Sequence, residues 1–322
     1  MNGPFPLDHF VRRYRTIALA LAVLALHGGP AGATELGSSS YPIGVELGYG
    51  DMLLPGLYNL AYYNHSQASS LKGESGQDLG WARYRLTADT ISYRMQYIWE
   101  TKMLGASAES VLVLPFPALD LEKRVSSALP DTSGSRFGMT DPLMVPLRLA
   151  WKGESINQSA SVEVVAPLGA YDANARVNTG RNYWQFAPAY ALTYRPSASS
   201  VFGFKLRYGV NTTNKATNYR SGDELTVEYS AGYKLSAAAS FGLQGYIYRQ
   251  TSDDELNGQP TSAANGRLPG GIGNRGSANA IGPFLSYAFA PRFVVTGKYQ
   301  QDFDVKNRAA FNRVWLQVLL PF

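Results

Sequence analysis

Chemistry in a chain of 322 residues needs convergent side chains, and this one offers few candidates. Asn64-His65-Ser66 places a base beside a hydroxyl, the pair an acyl hydrolase would use. Adjacent residues on a strand, however, project to opposite faces, so Ser66 cannot serve His65 there. An enzyme at this point needs a Ser or Asp from a neighbouring strand. Gly271-Ile272-Gly273-Asn274-Arg275-Gly276 satisfies G-x-G-x-x-G literally. A dinucleotide site needs that turn between a strand and a helix, and here a loop leads into a strand-like run. Asp253-Asp254-Glu255 could draw a divalent cation, but adjacent carboxylates rarely converge on one ion and a solvated acidic loop is the simpler reading. With 0 Cys and 3 His, two of them (His9 and His27) in the leader described below, a zinc site lacks its usual ligands. The residues therefore imply no catalytic group, no metal and no cofactor.

The elements that would have to position any site have a period of two. In residues 91–100, Ile91, Tyr93, Met95, Tyr97 and Trp99 share one face and oppose Ser92, Arg94, Gln96 and Glu100. In residues 201–210, Phe202, Phe204, Leu206, Tyr208 and Val210 oppose Lys205 and Arg207. In residues 224–235, Leu225, Val227, Tyr229, Ala231, Tyr233 and Leu235 oppose Thr226, Glu228, Ser230 and Lys234. Weaker copies fall at 56–66, 107–117, 141–151, 158–167, 183–195, 239–251, 277–289 and 292–303. The chain closes on NRVWLQVLLPF, with Val314, Leu316, Val318, Leu320 and Phe322 on one face. About twelve strands result, an even number as bacterial barrels have.

Link lengths alternate as well. Short links (102–106, 152–157, 196–199, 236–238, 290–291) exchange with long polar ones (67–87, 118–140, 168–182, 211–223, 252–276, 304–310), as in barrels with tight periplasmic turns and long outer loops. At the start, Arg12, Arg13 and Arg15 precede IALALAVLAL and then Ala31-Gly32-Ala33, the layout of a cleaved export signal over 1–33. No later run is long and apolar enough for a spanning helix. The formal net charge is +5, or +3 without residues 1–33 (26 Lys and Arg against 23 Asp and Glu), too mild to argue for nucleic acid. The reading is an all-β, antiparallel transmembrane barrel of the bacterial outer membrane over 56–322. Residues 34–55 are expected to cap or enter its lumen from the periplasmic side.

Strand parity sends Arg94, Gln96, Glu100, Arg148, Glu163, Gln185, Lys205, Arg207, Glu228, Gln244, Lys298, Gln300 and Arg313 inward. There they can pair across the lumen or line a solute path. Phe322 is the expected assembly signal, read by the barrel-assembly machinery, and the outer face is expected to meet outer-membrane lipid. Pro142, Pro146, Pro188 and Pro283 fall inside expected strands, where proline cannot donate to a ladder, so bulges or local unpairing are expected.

Several segments resemble one known family. They are YPIGVE (41–46), LLPGLYNLAYY (53–63), NYWQFAPAYALTY (182–194) and NYRSGDEL (218–225). GLQGYIYRQTSDD (242–254), GNRG with AIGPFLSYAF (273–289), and KYQQDFDVKNR (298–308) continue the match. The chain is similar to the outer-membrane family named for the meta-pathway of phenol degradation, whose members are taken to be transporters. The resemblance implies a channel for small, aromatic or hydrophobic molecules. Two other functions compatible with a barrel are a lipid-modifying acyl hydrolase and a purely structural barrel.

Overall fold

The computed structural model describes residues 39–47, 49–80, 83–124, 133–261 and 274–320. The expected signal, the Gly271–Gly273 half of the glycine motif and Phe322 lie outside them. Sixteen strands follow in chain order. They are β1 (Gly56–Leu71), β2 (Arg83–Ile98), β3 (Ser107–Arg124), β4 (Gly134–Phe137), β5 (Leu143–Lys152), β6 (Ile156–Val165), β7 (Gln185–Tyr194) and β8 (Ser200–Asn211). Then come β9 (Tyr219–Arg220), β10 (Glu224–Lys234), β11 (Ala239–Gln250), β12 (Glu255–Leu256), β13 (Gln259–Pro260), β14 (Ser277–Ala290), β15 (Phe293–Lys306) and β16 (Ala309–Leu320). Twelve of them make a closed antiparallel wall, in the order β2-β1-β16-β15-β14-β11-β10-β8-β7-β6-β5-β3, with β3 pairing back onto β2. Closure leaves the wall no free edge, so every strand finds ladder partners inside the bilayer. The short β4 extends the loop side of β3, and β9, β12 and β13 form a separate small sheet.

Alternation builds the wall. Ile91, Tyr93, Met95, Tyr97, Phe202, Phe204, Leu206 and Tyr208 are exposed on the outer surface, the face that meets lipid. Aromatic pairs line the short-turn rim. Tyr194 stacks with Phe202 at 6.4 Å, Tyr233 meets Phe241 at 6.2 Å, and Tyr287 meets Phe289 at 4.8 Å. Amphipathic rings suit that depth, where hydrocarbon gives way to headgroups.

Two expectations change. The link expected over 304–310 shrinks to Asn307-Arg308, because β15 runs to Lys306 and β16 starts at Ala309. Asn307 takes the left-handed φ of 51° that so tight a turn requires. Strands β1, β2 and β3 also run further outward than their periodicity indicated, to Leu71, from Arg83 and to Arg124. Their outer ends carry apolar residues on the inner face, which breaks the polar-in rule used to read them.

The prolines act differently from one another. Register shifts flank Pro146, between Met144 and Leu147 against β6 and between Glu109 and Val111 against β3. Pro188 pairs with Val162 on β6, while its ladder to β8 skips from Phe186 to Ala189. Pro142 lies just before β5. Opposite Pro283, the Tyr299 carbonyl accepts instead from Gln244 Nε2 at 2.9 Å, a side chain replacing the missing backbone donor.

Candidate functional site

The lumen is occupied by the chain itself. Residues 39–47 and 49–51 run inside the barrel, and the inward side chains close around them. Ser39 Oγ donates to Glu224 Oε2 at 2.7 Å at the outer end. The Tyr41 hydroxyl donates to Glu228 Oε2 at 3.0 Å and accepts from Lys205 Nζ at 2.9 Å. Gly44 turns the segment with a φ of 82°, a conformation natural to glycine. Its N–H reaches Glu228 Oε1 at 2.5 Å, and its carbonyl accepts from Lys298 at 2.7 Å and Gln300 at 3.0 Å. Lower down, Glu46 pairs with Arg94, and Arg148 Nη2 donates to the carbonyls of Tyr49 at 2.9 Å and Asp51 at 2.5 Å. At the short-turn end Arg195 grips Asp51.

Most of the side chains that parity sends inward join this network. Gln96 donates to Glu109 Oε2 at 2.6 Å, and Arg148 pairs with Glu109 Oε1 at 2.6 Å. Glu163 bridges Lys205 at 2.7 Å and Arg207 at 2.8 Å, and Gln185 accepts from Arg207 at 2.6 Å. Gln300 donates to Gln244 at 2.5 Å and accepts from Trp315 Nε1 at 2.9 Å. Arg313 pairs with Asp302 at 2.6 Å. Glu100 differs: β2 ends at Ile98, so Glu100 falls in the turn and is exposed. Sequence parity did not find the acids Glu46, Asp51, Glu109 and Asp302 that complete the pairs. Asp302 and Glu109 sit at inward positions of their strands and were readable. Glu46 and Asp51 lie outside any strand and were not.

Above the network lies a cavity of about 350 Å³. Its floor includes Tyr41, Ile43 and Glu46 of the inner segment. One wall is the inner face of β2 and β3, with Leu86, Ala88, Val113, Leu119 and Leu121. Arg94 lies further down the same face of β2, and Arg308 and Arg313 stand on the other sides. Pro115 and Pro117 also line it, at a seam in the barrel wall. Pairing of β3 with β5 stops at Val113, and pairing with β4 resumes at Ala118. Across the gap, Thr140 N donates to Pro115 O at 3.0 Å and Gly138 N to Pro117 O at 3.4 Å, but neither proline can return a bond.

The residues first considered for chemistry disperse. His65 Nδ1 lies 2.8 Å from Asp89 Oδ1, whose carboxylate also accepts from the Tyr63 hydroxyl at 2.7 Å. The pair has the geometry of a base beside an orienting acid, and it stands on the outer face of the wall. Ser66 points the other way, is buried, and donates to Asn64 Oδ1 at 2.5 Å. Asp253 pairs with Arg275 at 2.6 Å and Glu255 with Arg220 at 3.5 Å, while Asp254 turns inward to Tyr219 at 2.7 Å. The three carboxylates diverge, and Gly276 leads into strand β14, with no helix following.

A closed wall with an apolar outer belt and a polar interior defines a transmembrane β-barrel of the bacterial outer membrane. The chain belongs to the family described as "Putative MetA-pathway of phenol degradation", whose model matches residues 64–318. Comparison with curated proteins returned no match. Among solved structures, the COG4313 outer membrane channel from Pseudomonas putida F1 shares the fold. It has a TM-score of 0.73 and 16% identity, over 85% of this chain and 98% of that one. Weaker similarity extends to the CymD monoaromatic hydrocarbon channel, with a TM-score of 0.43 and 11% identity over 90% of this chain and 96% of that one. The NanC porin is similar at a TM-score of 0.43 and 10% identity, over 81% of this chain and all of its own.

Proposed function

We propose that this barrel is an outer-membrane channel for small hydrophobic molecules, and that the outer cavity is the vestibule they enter. The observation that carries this reading is the apolar stretch on the inner face of β2 and β3 at the level of the cavity. A water-filled porin has polar side chains at such positions, whereas Leu86, Val113, Leu119 and Leu121 line a space of about 350 Å³, the size of a small-ligand pocket. Family membership and the channel described for the similar Pseudomonas putida barrel support it. Residues 41–47 and 49–51 fill the lumen beneath the vestibule, so a straight aqueous path is narrow. The seam beside Pro115 and Pro117 gives an apolar solute a second way out, sideways through the wall.

Uptake into proteoliposomes tests the proposal, using a neutral monoaromatic compound and a sugar of similar size. The aromatic compound should enter faster than into empty liposomes, and the sugar should gain little. Replacing Leu119 and Leu121 together by Glu should lower aromatic uptake several-fold while the barrel still folds. Uptake no faster than into empty liposomes for every compound tried would remove the channel reading.

A further inference from the structure

Arg308 occupies the two-residue turn between β15 and β16, yet its side chain turns into the barrel and is only 5% exposed. Its Cζ lies 4.0 Å from the centre of the Tyr248 ring, which holds the guanidinium against the wall. Its Nε and Nη1 are buried without a hydrogen-bond partner. Among the described residues no carboxylate lies within ion-pair distance of it. The other two arginines named above differ: Arg94 pairs with Glu46 and Arg313 with Asp302. A buried guanidinium with unanswered N–H groups is costly, and proteins rarely leave one so unless something else answers it.

The cavity that Arg308 lines shows what could answer. Of the arginines Arg94, Arg308 and Arg313 that line it, the first and the last are answered by Glu46 and Asp302, and among the described residues Arg308 has no such ion pair. An unanswered guanidinium favours an anion inside. The guanidinium fork matches a carboxylate, donating to its two oxygens side by side. Between Lys123 and Arg94, the wall of β2 and β3 offers an apolar stretch of Leu86, Ala88, Val113, Leu119 and Leu121. A molecule that satisfies both must carry charge at one end and hydrocarbon at the other.

We propose that the vestibule takes an amphiphilic carboxylate, with its anionic head on Arg308 and its apolar or aromatic body against Leu86, Val113 and Leu119. This rests on reading the cavity as a solute vestibule and names the class of solute. An acid entering this way gains the Arg308 contacts, whereas a neutral molecule of the same shape leaves the guanidinium unanswered.

The test is equilibrium binding to the purified full-length barrel in detergent, followed by titration calorimetry at pH 7. The probes are a short alkylbenzoate and its primary amide, alike in shape and different in charge. The acid should bind about tenfold more tightly, or better, as expected for a charged hydrogen bond. Arg308→Gln should remove that preference and leave amide affinity unchanged, while Arg308→Lys should keep part of it. Heat-modifiable migration checks that each variant is folded, and the wild-type comparison stands without them. Equal binding of acid and amide by the wild type, or an undiminished preference in Arg308→Gln, overturns the carboxylate site and leaves the channel reading intact. Binding of neither probe overturns both.

Discussion

Arg207 Nε donates to Glu163 Oε2 at 2.8 Å across strand β7, with the arginine side chain 1% exposed. The other carboxylate oxygen of Glu163 lies 2.7 Å from Lys205, so one acid pairs with two buried bases. Breaking such a pair strands a charge, at a cost of about 3–5 kcal/mol. Face parity alone would rank Leu206→Arg, on the lipid side, far above Arg207→Leu, since an arginine near mid-membrane costs about 2–4 kcal/mol. The pairing of Arg207 makes the two costs comparable. Reversible unfolding in lipid vesicles should show both variants destabilised by similar amounts. An Arg207→Leu variant as stable as wild type would mean that this pair contributes nothing to the wall.

The lower end of the inner segment is held by a second pair. Arg195 donates through Nη1 to Asp51 Oδ1 at 2.9 Å and through Nη2 to Oδ2 at 2.5 Å. Both side chains are partly solvated, so the clamp contributes on the order of 1 kcal/mol. That is too little to unfold the barrel, but it removes the bidentate part of the hold on Asp51, whose remaining contacts come from Arg148 and Asn157. Arg195→Ala should therefore raise ion conductance in planar bilayers and leave the unfolding midpoint nearly unchanged. Conductance equal to wild type would show that the other contacts suffice to hold the segment.

The wall was legible because it obeys one rule. Alternation over Ile91–Trp99, Phe202–Val210 and Leu225–Tyr233 places every second residue toward lipid, and the strands follow it closely. The inner partners were less legible. A lone Glu46 in YPIGVE has no period to mark it, and only the fold brings it to Arg94. The vestibule was missed for the opposite reason. Val113, Pro115, Pro117, Leu119 and Leu121 are apolar on the inner face of β3, so a reading that expects polar residues inside passes over them. Leu112, Leu114 and Phe116 supply the outer face, and the run looks apolar on both sides. A strand apolar on both faces within an otherwise alternating barrel was the available signal.

Outside the bilayer, Asp254 predicts a pH response. Burial pushes its carboxyl up to about 7, while donors from Gly222, Tyr219 and Gln250 pull it the other way. The unfolded loop would release this proton near the ordinary carboxyl value of 3.8. Between about 4 and about 7 the folded loop therefore binds more protons than the unfolded one, and its stability falls as pH rises, by up to about 1.4 kcal/mol per pH unit. Above about 7 the dependence should level off. Amide exchange of Tyr219, Arg220 and Leu256, corrected for intrinsic rates, should report the small sheet opening more readily at pH 7 than at pH 5. Asp254→Asn should flatten the profile, and a profile unchanged by that substitution would place the titrating group elsewhere.

The last prediction concerns the seam. On β3, odd-numbered residues direct their backbone groups toward β4 and β5, as the bonds to the carbonyls of Pro115 and Pro117 show. Both missing N–H donors therefore fall on one edge, next to each other, and at the level of the cavity. The Pro-Phe-Pro spacing of two is what concentrates them, since a spacing of one or three would divide the loss between two neighbours. Pro115→Val with Pro117→Val restores two donors opposite Thr140 and Gly138 and keeps the inner face apolar. If the seam is the sideways exit, the double variant should unfold at higher denaturant and carry a neutral aromatic solute several-fold more slowly into proteoliposomes. Its small-ion conductance, which uses the lumen, should stay the same. Slower solute entry with equally reduced conductance would instead show that the substitutions narrowed the vestibule itself, and unchanged entry would remove the seam from the path.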